Sequence, residues 1–398
     1  MPEHREQLMD AEEPPAAADR IATDPLRRAL ARASRFPSLR HKYAEQLRST
    51  ATPTLGRLPV LTRAELVRAV AESGRVRPGT QGANLYAAGG SVAAPWLVAA
   101  HGDDTAAEAL GSWRPLRRGE VLANLYPAGR LQWAHYFYNA LAARSGATVL
   151  PFGRLGDDEL MQWLDFFRDQ RVTALAAPPE ALDRILYGCA ASGRPLDWLR
   201  KVLWHGGGQD LAQLIAERLP EVELWTCYAS AEAGVIGHAG PECPPQTFHP
   251  LPGRQLEVTA DGMILVTVLD EELALPLLRY RTGDFGTTVR CSCGRPELAV
   301  RVFRDAARVG VTMHGQPVCP DELAELAEEL EEVAAAEVVL TGAGVEPERI
   351  RLRVSLRPGV PADDYTREWV RHHVLSRHLV LGGLAAEGTE AFEVVVTG

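Results

Sequence analysis

Between residues 83 and 268 short apolar runs alternate with stretches of helical period, and this alternation constrains the fold more than any other feature. Apolar runs at 147–151, 172–177 and 201–205 are separated by amphipathic segments at 157–170, 179–191 and 211–219. A strand followed each time by a helix returns parallel to its predecessor, because the crossover helix packs back onto the sheet. The pattern predicts an α/β lobe of mostly parallel sheet with helices on its faces. Strand-rich sequence follows, with 255–259 and 263–269 flanking Asp261-Gly262 as a β-hairpin. Beyond Arg304 come a strand, a long acidic helix over 321–336, a strand pair and a helix over 364–378, which predict a separate small α+β lobe. The expected organisation is a large lobe over 21–303 and a small one over 304–398, after an Ala/Pro/Glu-rich tail, 1–20, expected to be disordered. Helical spacing over 24–47 precedes Thr62, which with Glu65 makes a capping box.

The formal charge of −10 comes without any basic run, so a nucleic-acid partner lacks its electrostatic footprint. No apolar run approaches the ~20 residues that span a bilayer, and the polar start is not a signal peptide; a cytoplasmic protein without a membrane partner is expected. Six cysteines in so long a chain are not a disulfide scaffold, and clustered ones read as metal ligands. Of the 42 basic residues only Lys42 and Lys201 are lysines.

Four segments carry chemistry. Gly89-Gly90-Ser91-Val92-Ala93-Ala94-Pro95 is a small-residue turn of the kind that lets backbone N–H groups approach a phosphate. Tyr228-Ala229-Ser230-Ala231-Glu232 ends an apolar run and presents one carboxylate. Tyr280-Arg281-Thr282-Gly283-Asp284 delivers an aspartate past a glycine, and an aspartate there can accept two hydroxyl hydrogen bonds, as a ribose requires. Arg301-Val302-Phe303-Arg304-Asp305 marks the junction of the lobes. A fifth group is metal-like: Cys243 and His249 are followed by Cys291 and Cys293, and three thiolates with one imidazole make a closed tetrahedral set suited to structural Zn²⁺.

In this order and spacing the segments resemble the adenylate-forming enzymes, and among them the phenylacetate–CoA ligase-like proteins. The resemblance extends over nearly the whole chain, and YRTGD beside Cys291-Ser292-Cys293-Gly294-Arg295 is its most specific part. It implies a large lobe that holds ATP and a carboxylic acid, and a small lobe that closes over them. It gives Glu232 the Mg²⁺ against the ATP phosphates and Asp284 the ribose. Gly207, Gly208, Tyr228, Ala229 and Ser230 fall where the adenine is held, Gly90 and Ser91 in the phosphate loop, and Arg304 at the hinge. It puts the acid near Trp133, His135 and Tyr136, although rings this dense equally suit a buried helix face. The implied reaction is ATP-dependent activation of an aryl acid, with CoA, a carrier protein or an amine as acceptor and a homodimer compatible with the pattern.

The sequence also departs from that pattern. The phosphate loop lacks most of the hydroxyls and the lysine of relatives, Ala231 replaces a hydroxyl residue, and the hinge reads Asp305-Ala306-Ala307-Arg308. The small lobe is expected to be truncated before the lysine that meets the α-phosphate charge in relatives, a cation whose loss costs orders of magnitude in rate. An arginine such as Arg308 or Arg351 takes its place, a partner protein supplies it, or the fold serves ligand binding or variant chemistry such as nitrogen–nitrogen bond formation.

Overall fold

The computed structural model describes residues 23–72, 84–88, 96–100, 102–129, 131–154, 156, 159–206, 209–230, 232–269, 276–303, 311–313, 316–318, 320–341, 349–378, 381 and 392–397. The tail expected over 1–20 lies outside them. Helices α1 (Thr23–Ala33), α2 (Pro37–Lys42), α3 (Ala44–Arg48) and α4 (Arg63–Glu72) open the chain. The capping box before α4 forms as expected: Thr62 Oγ1 accepts from the Glu65 N–H at 3.3 Å, and Glu65 Oε2 accepts from the Thr62 N–H at 2.9 Å. Lys42 donates to Glu65 Oε1 at 2.6 Å. Burial would raise the Glu65 carboxyl, but Lys42 and the capping bonds outweigh it and hold the group below its ordinary range.

Strands β1 (Asn84–Ala88) and β2 (Trp96–Ala100) pair antiparallel with Ala88 opposite Trp96, and residues 89–95, between them in sequence, lie outside the described residues. The α/β part then runs α5 (Gly102–Leu110), β3 (Val121–Asn124), α6 (Ala134–Ser145), β4 (Thr148–Leu150), α7 (Leu160–Asp169), β5 (Ala174–Ala176), α8 (Pro179–Ser192), β6 (Lys201–His205), α9 (Gln209–Arg218) and β7 (Glu223–Ser230). After it come β8 (Gly234–Ala239), β9 (Thr247–Pro250), β10 (Arg254–Val258), β11 (Met263–Val268), β12 (Leu277–Val289) and β13 (Ala299–Phe303). These build one sheet in the order β10-β11-β12-β13-β9-β8-β7-β6-β5-β3-β4. Strands β4, β3, β5, β6 and β7 are parallel, and every pairing from β7–β8 onward is antiparallel. The expected parallel sheet and the strand-rich part are both present, joined at β7–β8 into a single mixed sheet.

Strand β6 shows why two faces are covered. Val202 and Trp204 pack into the core under α7, α8 and α9, while Leu203 points into the opposite core with Phe137 and Leu141 of α6. Numbered along the chain, the parallel strands lie in the order 2-1-3-4-5, which reverses between β3 and β5. Ligands in open α/β sheets bind outside the carboxyl ends of the strands at such a reversal.

The remaining elements are β14 (Val311–Met313), β15 (Gln316–Val318), α10 (Pro320–Glu328), β16 (Val333–Thr341), β17 (Arg349–Leu356), α11 (Asp364–Arg377) and β18 (Phe392–Thr397). Strands β16, β17 and β18 form a sheet with its own core of Leu323, Ile350, Leu352, Val354, Val370 and Val374. The acidic helix expected over 321–336 stops at Glu328. Leu330 and Val333 close turns to Ala327 and Leu330, and Val333 and Ala336 then pair with Leu356 and Val354. Strand pairing here overrides the helix preference of Glu and Ala. Among the described residues no helix is long and apolar enough to cross a membrane.

Candidate functional site

At the carboxyl end of β7 the chain turns into β8 with Ser230 opposite Gly234, and this turn presents Glu232. Ser230 Oγ accepts from the Ala233 N–H at 3.1 Å, which ties this oxygen to the turn. Tyr228, 6% exposed, donates its phenol proton to Asp284 Oδ2 at 2.7 Å. Burial first, and then the Asp284 carboxylate, push the Tyr228 phenol well above its ordinary value. Asp284 reaches it because β12 bulges: between Leu265 opposite Arg281 and Met263 opposite Phe285, one residue of β11 faces three of β12. Gly283 supplies the left-handed conformation, at φ +87°, that this bulge needs. Tyr280 lies 3.4 Å from Glu232 Oε1 through its hydroxyl. The structure thus gathers Tyr228, Glu232 and Asp284, which are apart in sequence, and adds Tyr280 to them.

A ring cluster lies at the carboxyl ends of β3 and β6. Tyr126 stacks on Tyr138 and on His205, each at 4.9 Å between ring centres, and Trp133 meets His205 at 4.9 Å. Tyr126 Oη accepts from the His205 N–H at 3.2 Å. Burial lowers the His205 pKa to about 4, so the ring is neutral at pH 7. His205 Nδ1 is buried without a partner among the described residues. The three residues expected at the acid separate: Trp133 faces His205, His135 is buried with Nδ1 2.7 Å from the Tyr126 carbonyl, and Tyr136 is 43% exposed and packs on Tyr86. Asn124 locks this corner, donating to the His135 carbonyl at 2.8 Å and accepting from the Tyr126 N–H at 3.2 Å. The buried-face reading holds for Phe137 and Tyr138, which are core, and Trp133 packs against that same core. Tyr126 and His205 were missed by the motif reading. The available signal was a histidine ending an apolar strand just before Gly206-Gly207-Gly208.

Cys243, His249, Cys291 and Cys293 converge, their ligand atoms all within 4.8 Å of one another and Cys293 Sγ 3.2 Å from His249 Nε2. Strand β9 brings His249, the β8–β9 loop Cys243, and the β12–β13 connection the other two. Burial first, then the neighbouring thiols, push Cys243 up to about 12. Burial acts the same way on Cys293, but the Arg295 N–H and the adjacent thiols hold it below its ordinary value. The donor set, three sulfurs and a nitrogen in one small volume, fits a tetrahedral metal of zinc's preferences.

Both lysines are committed elsewhere. Lys201, 4% exposed at the amino end of β6, donates to the Pro115 carbonyl at 2.9 Å and pairs with Glu120 at 2.8 Å. Lys42 is held by Glu65. Arg351 is paired with Glu393 at 3.1 Å. Gly90, Ser91, Gly207, Gly208, Arg304 and Arg308 lie outside the described residues.

No protein-family model matches the chain, and no curated protein sequence matches it. Among solved structures it is similar to 2-hydroxyisobutyryl-CoA ligase. With 2-HIB-AMP and CoA in the thioesterification state, the TM-score is 0.65 at 17% identity, covering 96% of this chain and 87% of that one. With 2-HIB-AMP in the postadenylation state it is 0.60 at 17% identity, covering 94% and 85%. The amide bond synthetase McbA from Marinactinospora thermotolerans gives 0.47 at 18% identity, covering 85% and 76%. The chain has the adenylate-forming enzyme fold.

Proposed function

We propose that the protein activates a carboxylic acid, an aryl acid by the character of its ring-lined corner, as an acyl-adenylate. The acid's carboxylate oxygen attacks the α-phosphorus of ATP and pyrophosphate leaves; a thiol (CoA or a carrier protein) or an amine then attacks the acyl carbon and AMP leaves. The observation that carries this reading is the Tyr228–Asp284 pair, at 2.7 Å, beside Glu232 at the carboxyl end of the parallel strands. Asp284 would take the ribose hydroxyls, and the Tyr228 ring, with Gly207, Gly208 and Ala229, the adenine. Gly90 and Ser91 would face the phosphates. Glu232 offers the hard oxygen that Mg²⁺ prefers, and the ion when bound offsets phosphate charge. Trp133 and His205 would wall the acid. Arg304 would serve the hinge, and Arg308 would face the α-phosphate as a guanidinium that stays protonated. Cys243, His249, Cys291 and Cys293 would hold a structural Zn²⁺, and the kinship suggested is with phenylacetate–CoA ligase-like proteins.

The commitment of both lysines favours a second reading, an adenylate-forming fold turned to ligand binding or to variant chemistry. Pyrophosphate exchange with a panel of aryl acids separates the two. Exchange that falls at least ~100-fold in Arg308→Ala with ATP affinity kept supports adenylation with an arginine facing the transition state. Absence of exchange with every acid, with and without candidate acceptors, selects the second reading.

A further inference from the structure

Strand β12 carries a second bulge, four residues before the first ends. Val268 lies opposite Leu277 and Val266 opposite Tyr280, so one extra residue sits on β12 between them. That stretch contains Arg279, whose backbone is left-handed at φ +50° without being glycine. Such a conformation persists only where the surroundings over-determine it. Here they do. The Arg279 N–H donates to Oγ1 of buried Thr267 at 2.9 Å. Its guanidinium donates through Nη1 to the Leu58 carbonyl at 2.6 Å and the Gly56 carbonyl at 3.3 Å, and through Nε to Glu257 at 3.1 Å. The chain at Leu61 adds a parallel bridge to Tyr280: its N–H donates to the Arg279 carbonyl at 3.0 Å, and its carbonyl accepts from the Arg281 N–H at 2.9 Å. Strand β13 pairs with β12 only from Phe285 to Val289, and Leu61 docks on the stretch before it.

Side chains alternate along a strand, so one extra residue exchanges the faces of everything that follows. Without the bulge at Arg279, Tyr280 would leave the face on which it meets Glu232, and the next bulge, which delivers Asp284 to Tyr228, would start from the wrong register. We infer that Arg279 is the positioning residue of the nucleotide site, and that the segment around Gly56–Leu61 is part of that site because it clamps Arg279 in its left-handed turn. In this role Arg279 acts through the register of β12, on Tyr280 and Asp284. The inference rests on the adenylate reading for what the site holds.

The test is calorimetric binding of ATP and 2′-deoxy-ATP to the full chain and to Arg279→Ala, Arg279→Gly and Glu257→Gln. A displaced Asp284 loses its grip on the ribose, so Arg279→Ala is expected to bind ATP roughly tenfold more weakly and to discriminate less between the two nucleotides. Glycine adopts φ +50° freely, so Arg279→Gly recovers part of the affinity although it lacks the same side chain. A residue important only for its ion pair would show no such recovery. Glu257→Gln loosens the clamp mildly and gives the answer should Arg279→Ala fail to fold, through a smaller loss in the same sense. Unchanged affinity and discrimination in folded variants overturn the role of Arg279 and leave the adenylate reading standing; failure of the unsubstituted protein to bind ATP overturns both.

Discussion

Replacing His205 by Phe tests how the ring corner is built, because phenylalanine keeps the stack on Tyr126 and Trp133 and removes only the titration. In the folded protein burial lowers the His205 pKa to about 4, against an ordinary value of about 6.5 once the chain unfolds. The unfolded state therefore binds a proton that the folded state refuses. Stability from this source is intact above about pH 6.5 and is lost as the pH falls toward 4. At pH 5 the loss is about 2 kcal/mol, and it levels off at about 3 kcal/mol below pH 4. Urea unfolding at pH 7.5 and pH 5.0 measures it. His238, whose pKa burial and Arg295 lower to about 3, is present in both proteins and cancels. The Phe variant is expected to lose about 2 kcal/mol less than the parent between the two pH values. Equal losses would mean that His205 is solvated, and the neutral, ring-walled corner would be wrong.

Protein purified without chelator should carry about one zinc per chain, and Cys291→Ser should lose it and lower the melting temperature, since structural zinc binding is coupled to folding; metal analysis decides. Asp284→Ala should weaken ATP binding by about 1.5–3 kcal/mol, the range for a hydrogen bond to a charged group, as read by calorimetry. Lys201→Met should destabilise the fold by about 1–3 kcal/mol through the loss of its Pro115 and Glu120 bonds while leaving pyrophosphate exchange unchanged. Loss of exchange in a stable Lys201→Met protein would contradict the structural role given to this lysine.

Strand β6 was legible to the residue, because the short apolar run Val202-Leu203-Trp204, bounded by Lys201 and His205 between two amphipathic helices, reads as a buried strand of an α/β layer. The Asp261-Gly262 hairpin and the Thr62–Glu65 box were legible for a similar reason: their chemistry is local, and the partners lie within a few residues. The convergence of Cys243 and His249 with Cys291 and Cys293 was readable from residue type, paired spacing and the family resemblance together. The end of α10 was not, since Glu331-Glu332 looks helical until β17, 17 or more residues on, offers a pairing edge. The left-handed Arg279 was equally out of reach. Its conformation is held by carbonyls at Gly56 and Leu58, more than 200 residues earlier, and no local signal marks an arginine for positive φ.

The distribution of charge follows from the same geometry. The parallel strands gather Tyr126, His205, Tyr228 and Glu232 at their carboxyl ends, whereas Lys201 enters β6 at its amino end. Four residue steps of strand carry the chain from Lys201 to His205, about 13 Å at the usual rise, and the ammonium is held there by Glu120 and the Pro115 carbonyl. Lys42 is bound to the capping box of α4, and the imidazole of His205 is neutral at pH 7. The site as described thus presents Glu232 and Asp284, two carboxylates, with no lysine and no imidazolium beside them. Mg²⁺ at Glu232 would meet part of the triphosphate charge, but the charge that grows on the α-phosphate as pyrophosphate departs needs a donor aimed at that phosphate. Under the adenylate reading an arginine such as Arg308 is the residue proposed for it, or a partner protein supplies the cation. A guanidinium grips two phosphate oxygens at once through a fork that an ammonium lacks, so the exchange of lysine for arginine would demand a differently shaped approach from the small lobe rather than a simple replacement at one point.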